Sequence, residues 1–234
     1  MSGFKNTSLN RLIAANALNF VVGKVLLCLE MMQQDCVMSS IKIPNREPDI
    51  CNYLFSNYLN NDAIVKTIGL DDFRFFSEVP ENYVNSTPRG RADLQVFNIN
   101  DFRHRDRYFI IECKRIDGNL TLNREYINEG IRRFVGGDPK YTSYYRINCM
   151  LGFVIRDMNI LANSAVINTL LQTDYSDIHT AAYLSERAMS QTFSSSHGLS
   201  EDSRIELLHA FSDCSKIVES CTGVLDSTPK KHQT

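Results

Sequence analysis

The chain has 234 residues, of which 43% are hydrophobic and 22% are charged, and its formal net charge is −2. This length and apolar content suffice for one domain with a buried core and exclude an intrinsically disordered protein. The balanced charge excludes a protein that is basic over its whole surface, although it permits a local basic patch.

The first predicted element is a helix from Ser8 to Gln33, because apolar residues recur at steps of three and four. Polar residues interrupt the apolar stretch from Leu9 to Leu29, so we predict an amphipathic helix and no membrane span. A second helix is predicted from Glu47 to Leu59, with Pro48 tolerated in its first turn.

An alternating pattern begins at Phe73 and predicts a strand that Pro80 stops. The residues from Asn82 to Gly90 are rich in Asn, Ser, Thr, Pro and Gly and predict a loop. Two more strands are predicted at Ala92–Phe97 and Tyr108–Lys114. Their short connection favours an antiparallel hairpin.

The C-terminal half continues with a mixture of predicted helices and one buried strand. A helix is predicted at Arg124–Val135, a continuous apolar strand at Cys149–Ile155 and another helix at Asn159–Thr173. A polar loop is predicted at Ser190–Ser203, and a last helix at Ile205–Val218.

These elements predict an α/β fold with a mixed sheet flanked by helices. Residues 1–42 form a predicted N-terminal helical extension, residues 43–226 the main domain and residues 227–234 a flexible tail. The seven cysteines are odd in number and include no Cys-x-x-Cys pair, which argues against a zinc site. We predict buried thiols in a reducing compartment, hence a cytoplasmic protein.

Charged residues stand where a core strand is expected to be apolar. Glu112 and Lys114 lie two apart on the third strand and therefore share one face, while Ile111 and Cys113 point to the other. Asp93, near the start of the partner strand, can lie beside Glu112. The hairpin thus predicts two carboxylates and a lysine at one place.

Two close carboxylates repel each other unless a cation lies between them. Hard oxygen ligands of this kind suit Mg²⁺, which also binds phosphate oxygens. A metal-bound water can attack phosphorus, and a lysine can orient that water or add positive charge near the scissile phosphate. The alternative for this trio is a surface hairpin with an exposed salt bridge.

The motif Ala92-Asp93 followed by Glu112-Cys113-Lys114 resembles the PD-(D/E)XK nuclease superfamily, with Ala92 where the family name has proline. The resemblance covers roughly residues 47–155 and implies a restriction-endonuclease-like sheet with Asp93, Glu112 and Lys114 as catalytic residues. It implies Mg²⁺ or Mn²⁺ as cofactor, bound by Asp93, Glu112 and a third carboxylate. Glu47 is the first choice for that carboxylate, and Glu78 is the second.

Nucleic-acid contacts are expected from basic residues near the motif, which are Arg91, Arg115, Arg132 and Arg133. The segment 89–146 carries 12 Lys and Arg against 8 Asp and Glu, a local charge of +4. The remaining residues carry 13 against 19, a local charge of −6. The net charge therefore conceals a basic segment that coincides with the motif. Two histidines outside this segment, His197 and His209, are predicted to be structural.

The sequence therefore predicts a metal-dependent nuclease that cuts phosphodiester bonds in DNA, with a role in bacterial defence against phages or plasmids. The alternative is a catalytically silent nuclease-fold module that binds nucleic acid or a protein partner. Cleavage of both strands of a duplex usually needs two active sites. A homodimer or an activating partner protein is therefore expected, with the N-terminal helix as a candidate contact.

Overall fold

The computed structural model describes residues 7–84, 87–101, 104, 106–136, 138–200 and 203–220. Its sheet has seven strands in the order β1-β2-β3-β4-β7-β6-β5. The strands are β1 (Phe73–Val84), β2 (Thr87–Asn98), β3 (Phe109–Ile116), β4 (Ile147–Val154), β5 (Thr180–Glu186), β6 (Thr192–Ser200) and β7 (Ser203–Asp213). The central pairs β3–β4 and β4–β7 are parallel, and the other pairs are antiparallel. The protein therefore has the α/β class and the mixed sheet that the sequence predicts.

Helices cover both faces of this sheet. They are α1 (Thr7–Met38), α2 (Glu47–Leu54), α3 (Asp62–Thr67), α4 (Leu120–Tyr126), α5 (Arg132–Phe134) and α6 (Ile160–Thr173). One apolar core lies between the sheet and α1 to α3, and a second lies under α4 to α6. Two π-helical turns, Phe55–Leu59 and Ile127–Ile131, extend α2 and join α4 to α5. The predicted helices at Glu47–Leu59 and Arg124–Val135 are therefore present, although neither is regular throughout.

Helix α1 is a core helix of this fold. By length and composition alone, its Arg11–Met38 part is apolar enough to cross a membrane. The polar residues in this stretch therefore do not exclude a membrane span by themselves. The helix is amphipathic only in part, because Leu12 and Phe20 are exposed while Leu18 and Val21 are completely buried.

Three predictions in the chain's second half and hairpin are wrong. In the predicted loop at Asn82–Gly90, residues 82–84 belong to β1 and residues 87–90 to β2. Most of the predicted loop at Ser190–Ser203 is β6. The predicted helix at Ile205–Val218 is mainly strand β7, which lies between β4 and β6. Its apolar run is buried on both faces of the sheet, and such a run carries no periodicity that separates strand from helix. The predicted tail at 227–234 lies outside the described residues.

Strand pairing opens the sheet at one place. Strands β2 and β3 pair only from Leu94 opposite Ile111 to Val96 opposite Phe109. Before Leu94, β2 stays paired with β1, and after Ile111, β3 stays paired with β4. The two strands therefore separate at the next pair of residues along the ladder, which is Asp93 on β2 and Glu112 on β3.

Candidate functional site

The structure brings together the four residues that the sequence predicts as catalytic or metal-binding. Lys114 Nζ donates to Glu112 Oε1 at 2.9 Å and to Glu47 Oε1 at 2.7 Å. Asp93 Oδ2 accepts a hydrogen bond of 2.7 Å from the backbone N–H of Cys113, the residue between Glu112 and Lys114. Two carboxylates therefore bind one ammonium group, and the third carboxylate, that of Asp93, binds the backbone beside it at the opening between β2 and β3.

Local sequence explains how each residue reaches this place. Glu112 and Lys114 share a face of β3 because strand side chains alternate. Glu47 arrives from the first turn of α2, where a negative charge is favoured and Pro48 fits without losing a hydrogen bond. Helix α2 is held against β3 by contact between the buried Cys51 and Cys113, whose sulfur atoms lie 3.6 Å apart.

Glu112 is the most enclosed member of the cluster, with a side chain that is 0% exposed. The Tyr141 hydroxyl donates to its Oε2 at 2.6 Å, and Arg133 Nη1 lies 3.1 Å from its Oε1. Burial raises the pKa of Glu112, whereas Lys114 and Arg133 counteract that rise. Both carboxylate oxygens of Glu112 thus have protein partners in this state.

The other ionisable groups are shifted by the same enclosure. Burial, with the Glu112 charge as the next contribution, raises the pKa of Asp93 to about 8. Burial alone lowers the pKa of Lys114, but Glu112, Glu47 and Asp93 outweigh it and raise that pKa above its ordinary value. At neutral pH the cluster therefore holds a charged Lys114 beside a mainly protonated Asp93.

The chemistry of these side chains fits a hard divalent cation, since Glu47, Asp93 and Glu112 supply only oxygen donors. The arrangement of these side chains in the structure, however, does not form a cation site. Among the residues that the structure describes, no three His, Cys, Asp or Glu side chains are grouped to hold a metal ion. The ammonium group of Lys114 lies between Glu47 and Glu112, so a bound cation requires Lys114 to move away from at least one of them.

The second-choice carboxylate lies outside this cluster. Glu78 is on β1, with a side chain that is 42% exposed, and its carboxylate lies 3.6 Å from the guanidinium of Arg91. Its φ of 55° marks a local distortion of the strand. Of the two candidates, Glu47 is therefore the one that contacts Lys114.

The four basic residues predicted to contact nucleic acid occupy different surroundings. Arg133 is part of the cluster, and Arg91 contributes its backbone carbonyl to Tyr141 at 2.8 Å. Arg115 donates to Asn45, in the segment just before α2. Arg132 points elsewhere, because it pairs with Asp177 at 3.0 Å and lies over the Tyr175 ring.

A second buried carboxylate escaped the sequence analysis. Glu81 is 2% exposed and accepts hydrogen bonds from Gln95, Tyr108 and Thr142. Burial raises its pKa, and these donors counteract the rise. The residue was missed because it lies just after Pro80, where the sequence predicts that the strand stops, whereas β1 continues to Val84.

The cysteines and histidines named from the sequence are buried wherever the structure describes them. Cys28, Cys36, Cys51, Cys113, Cys149 and Cys214 are free and buried, as predicted, and Cys221 lies outside the described residues. His197 and His209 are also buried, and Ser195 bridges their Nε2 atoms at 2.8 Å each.

No protein-family model matches the chain, and no curated protein and no solved structure matches it either.

Proposed function

We propose that the protein is a metal-dependent nuclease that hydrolyses phosphodiester bonds in DNA. The observation that carries the proposal is the position of Lys114, within 2.9 Å of Glu112 and 2.7 Å of Glu47, on a strand edge that also binds Asp93. We also propose that the mixed sheet belongs to the restriction-endonuclease-like fold. The separation of β2 from β3 supports this, because Asp93 and Glu112 lie where the two strands part within the sheet.

Glu47, Asp93 and Glu112 would hold Mg²⁺ or Mn²⁺. When bound, the ion supplies an activated water and neutralises charge on the phosphate. Tyr141 and Arg133 fix the orientation of Glu112 through contacts of 2.6 and 3.1 Å. Lys114, with its pKa kept high by its carboxylate neighbours, would add a positive charge near the scissile phosphate.

The wider setting is a proposal from the same residues. The basic segment around the motif suits a phosphate backbone, and its limited extent suits a local contact or one shared with a partner. A cytoplasmic effector of bacterial defence, acting as a homodimer or with an activating partner, fits this charge distribution.

The proposal is tested by incubating the purified chain with plasmid DNA, linear DNA and RNA, with Mg²⁺ or with EDTA. We expect DNA cleavage in Mg²⁺ and none in EDTA. Lys114→Ala should abolish cleavage, while Lys140→Ala, which removes an exposed lysine, should retain it. Intact substrates together with no effect of Lys114→Ala on any measured property would refute the proposal.

The second candidate is a catalytically silent module that keeps the same fold. It is favoured by one observation, the engagement of both Glu112 oxygens by Lys114, Arg133 and Tyr141. Calorimetry separates the two candidates. Binding of Mg²⁺ or Mn²⁺ by the native protein, and its loss in Asp93→Ala, would exclude the silent module.

A further inference from the structure

A cavity adjoins the candidate site and shares a wall with it. Its volume is about 400 Å³, within the range of small-ligand pockets. The shared wall is Tyr141, whose ring lines the cavity while its hydroxyl donates to Glu112 at 2.6 Å. A group in this cavity would therefore be separated from Glu112 by Tyr141.

The cavity combines an apolar floor with polar and aromatic groups at its rim. Phe134 and Ile205 form the floor and are almost completely buried. Tyr144 lies at the rim and is 50% exposed. Arg107 lies 5.0 Å from the Tyr144 ring and Tyr145 packs against its edge, so the ring is held in place while half of the residue faces solvent.

Arg146 supplies an exposed guanidinium at the same rim. Its φ of 57° is a left-handed conformation that residues other than glycine rarely adopt. Non-glycine residues held in such conformations cluster at ligand-binding sites. The rim also carries the carboxylate of Asp106, which can accept hydrogen bonds from the amino group of a base.

We propose that this cavity is a subsite for one nucleobase of the strand, on the far side of Tyr141 from the scissile phosphate. The inference rests on the proposed nuclease function and deepens it. A base stacks on the Tyr144 ring, Arg146 contacts the adjoining phosphate, and the floor excludes water from the buried edge of the base. The substrate must then be single-stranded or have one nucleotide turned out of the duplex.

The test measures binding of a short fluorescein-labelled single-stranded DNA by anisotropy in EDTA, so that cleavage plays no part. We expect Tyr144→Ala to weaken binding about tenfold, the size of one lost stacked base. Tyr144→Phe should bind as wild type does, because it retains the ring. Arg146→Gly, which keeps the left-handed backbone, should also weaken binding. The controls are Tyr183→Ala and Arg156→Gly, which remove an exposed tyrosine and an exposed arginine outside the cavity.

A set of strands with one abasic position each separates base recognition from simple charge attraction. In the wild type, one abasic position should weaken binding about tenfold, and Tyr144→Ala should be insensitive to that position. The inference is overturned when all abasic strands bind equally, when Tyr144→Ala and Arg146→Gly bind as wild type does, or when the wild type binds no strand. Cleavage that persists with any of these results would leave the nuclease proposal standing alone.

Discussion

Lys114 is the residue whose removal tests the electrostatics of the site most sharply. Its side chain is 6% exposed. Its ammonium group pairs with Glu112, whose side chain is 0% exposed, and with Glu47, whose side chain is 26% exposed. The substitution Lys114→Met retains the aliphatic stem and removes the charge. Glu47 can then turn toward water, but Glu112 remains buried.

The loss of folding free energy in Lys114→Met depends on the contacts that Glu112 retains. Breaking a buried ion pair costs about 3–5 kcal/mol, because the remaining charge is left without compensation. Arg133 at 3.1 Å and Tyr141 at 2.6 Å still contact Glu112, which places the loss at about 3 kcal/mol, the lower end of that range. For a chain of this length, such a loss lowers the melting temperature by about 6–12 °C.

Urea denaturation at pH 7 measures this cost as a double-mutant cycle with Glu112→Gln. We expect the double variant to be more stable than the sum of the single losses predicts, by at least about 1 kcal/mol. Glu47→Gln is the matched comparison. Its pair is less buried than the Lys114–Glu112 pair and should contribute less stability than that pair does. A stability loss below about 1 kcal/mol in Lys114→Met, or strictly additive losses with Glu112→Gln, would show that Lys114 and Glu112 do not form a stabilising buried pair.

Three further predictions concern protons and packing. Because Asp93 keeps its proton up to about pH 8, Mg²⁺ binding at pH 7 should release about one proton, which calorimetry in two buffers detects and Asp93→Asn abolishes. Burial lowers the pKa of His197 to about 4 and that of His209 to about 3, so the unfolded chain takes up protons below about pH 6.5 and the folded chain does not. The urea midpoint of the wild type should therefore fall relative to that of His197→Asn between pH 6.5 and 4.5, and an unchanged difference between the two proteins would contradict this. Gly152→Ala places a methyl carbon 2.3 Å from Phe211 and should cost about 1–3 kcal/mol by thermal denaturation, whereas Gly23→Ala meets only ordinary contacts.

The part of the site that local geometry determines was predictable from the sequence. Glu112 and Lys114 share a strand face by alternation, and a short connection brings Asp93 beside them. Tyr141 reaches Glu112 only because the segment after α5 folds back onto β2, a contact with no periodic signal. Glu47 contacts Lys114 although the two residues are 67 positions apart in the chain. Local sequence patterns do not determine such a long-range contact.

The C-terminal strands show where pattern reasoning fails. Strand β7 packs one face into each of the two apolar cores, so both of its faces are apolar and its sequence suits a buried helix as well. Strand β6 is rich in serine, which suggests a loop, yet Ser195 joins His197 to His209 within the sheet. Its polar side chains are satisfied by tertiary partners that a local window does not contain.

The proposed metal-dependent nuclease activity is tested by cleavage of labelled DNA in Mg²⁺ with three proteins, the wild type, Asp93→Asn and Asp157→Asn. Because Asp93 is mainly protonated without metal, Asp93→Asn mimics the metal-free state and should fold as the wild type does. Asp157 is an exposed aspartate at another cavity and serves as the matched control. We expect cleavage by wild type and Asp157→Asn and none by Asp93→Asn. Equal cleavage by all three proteins, or by none of them, would contradict this expectation.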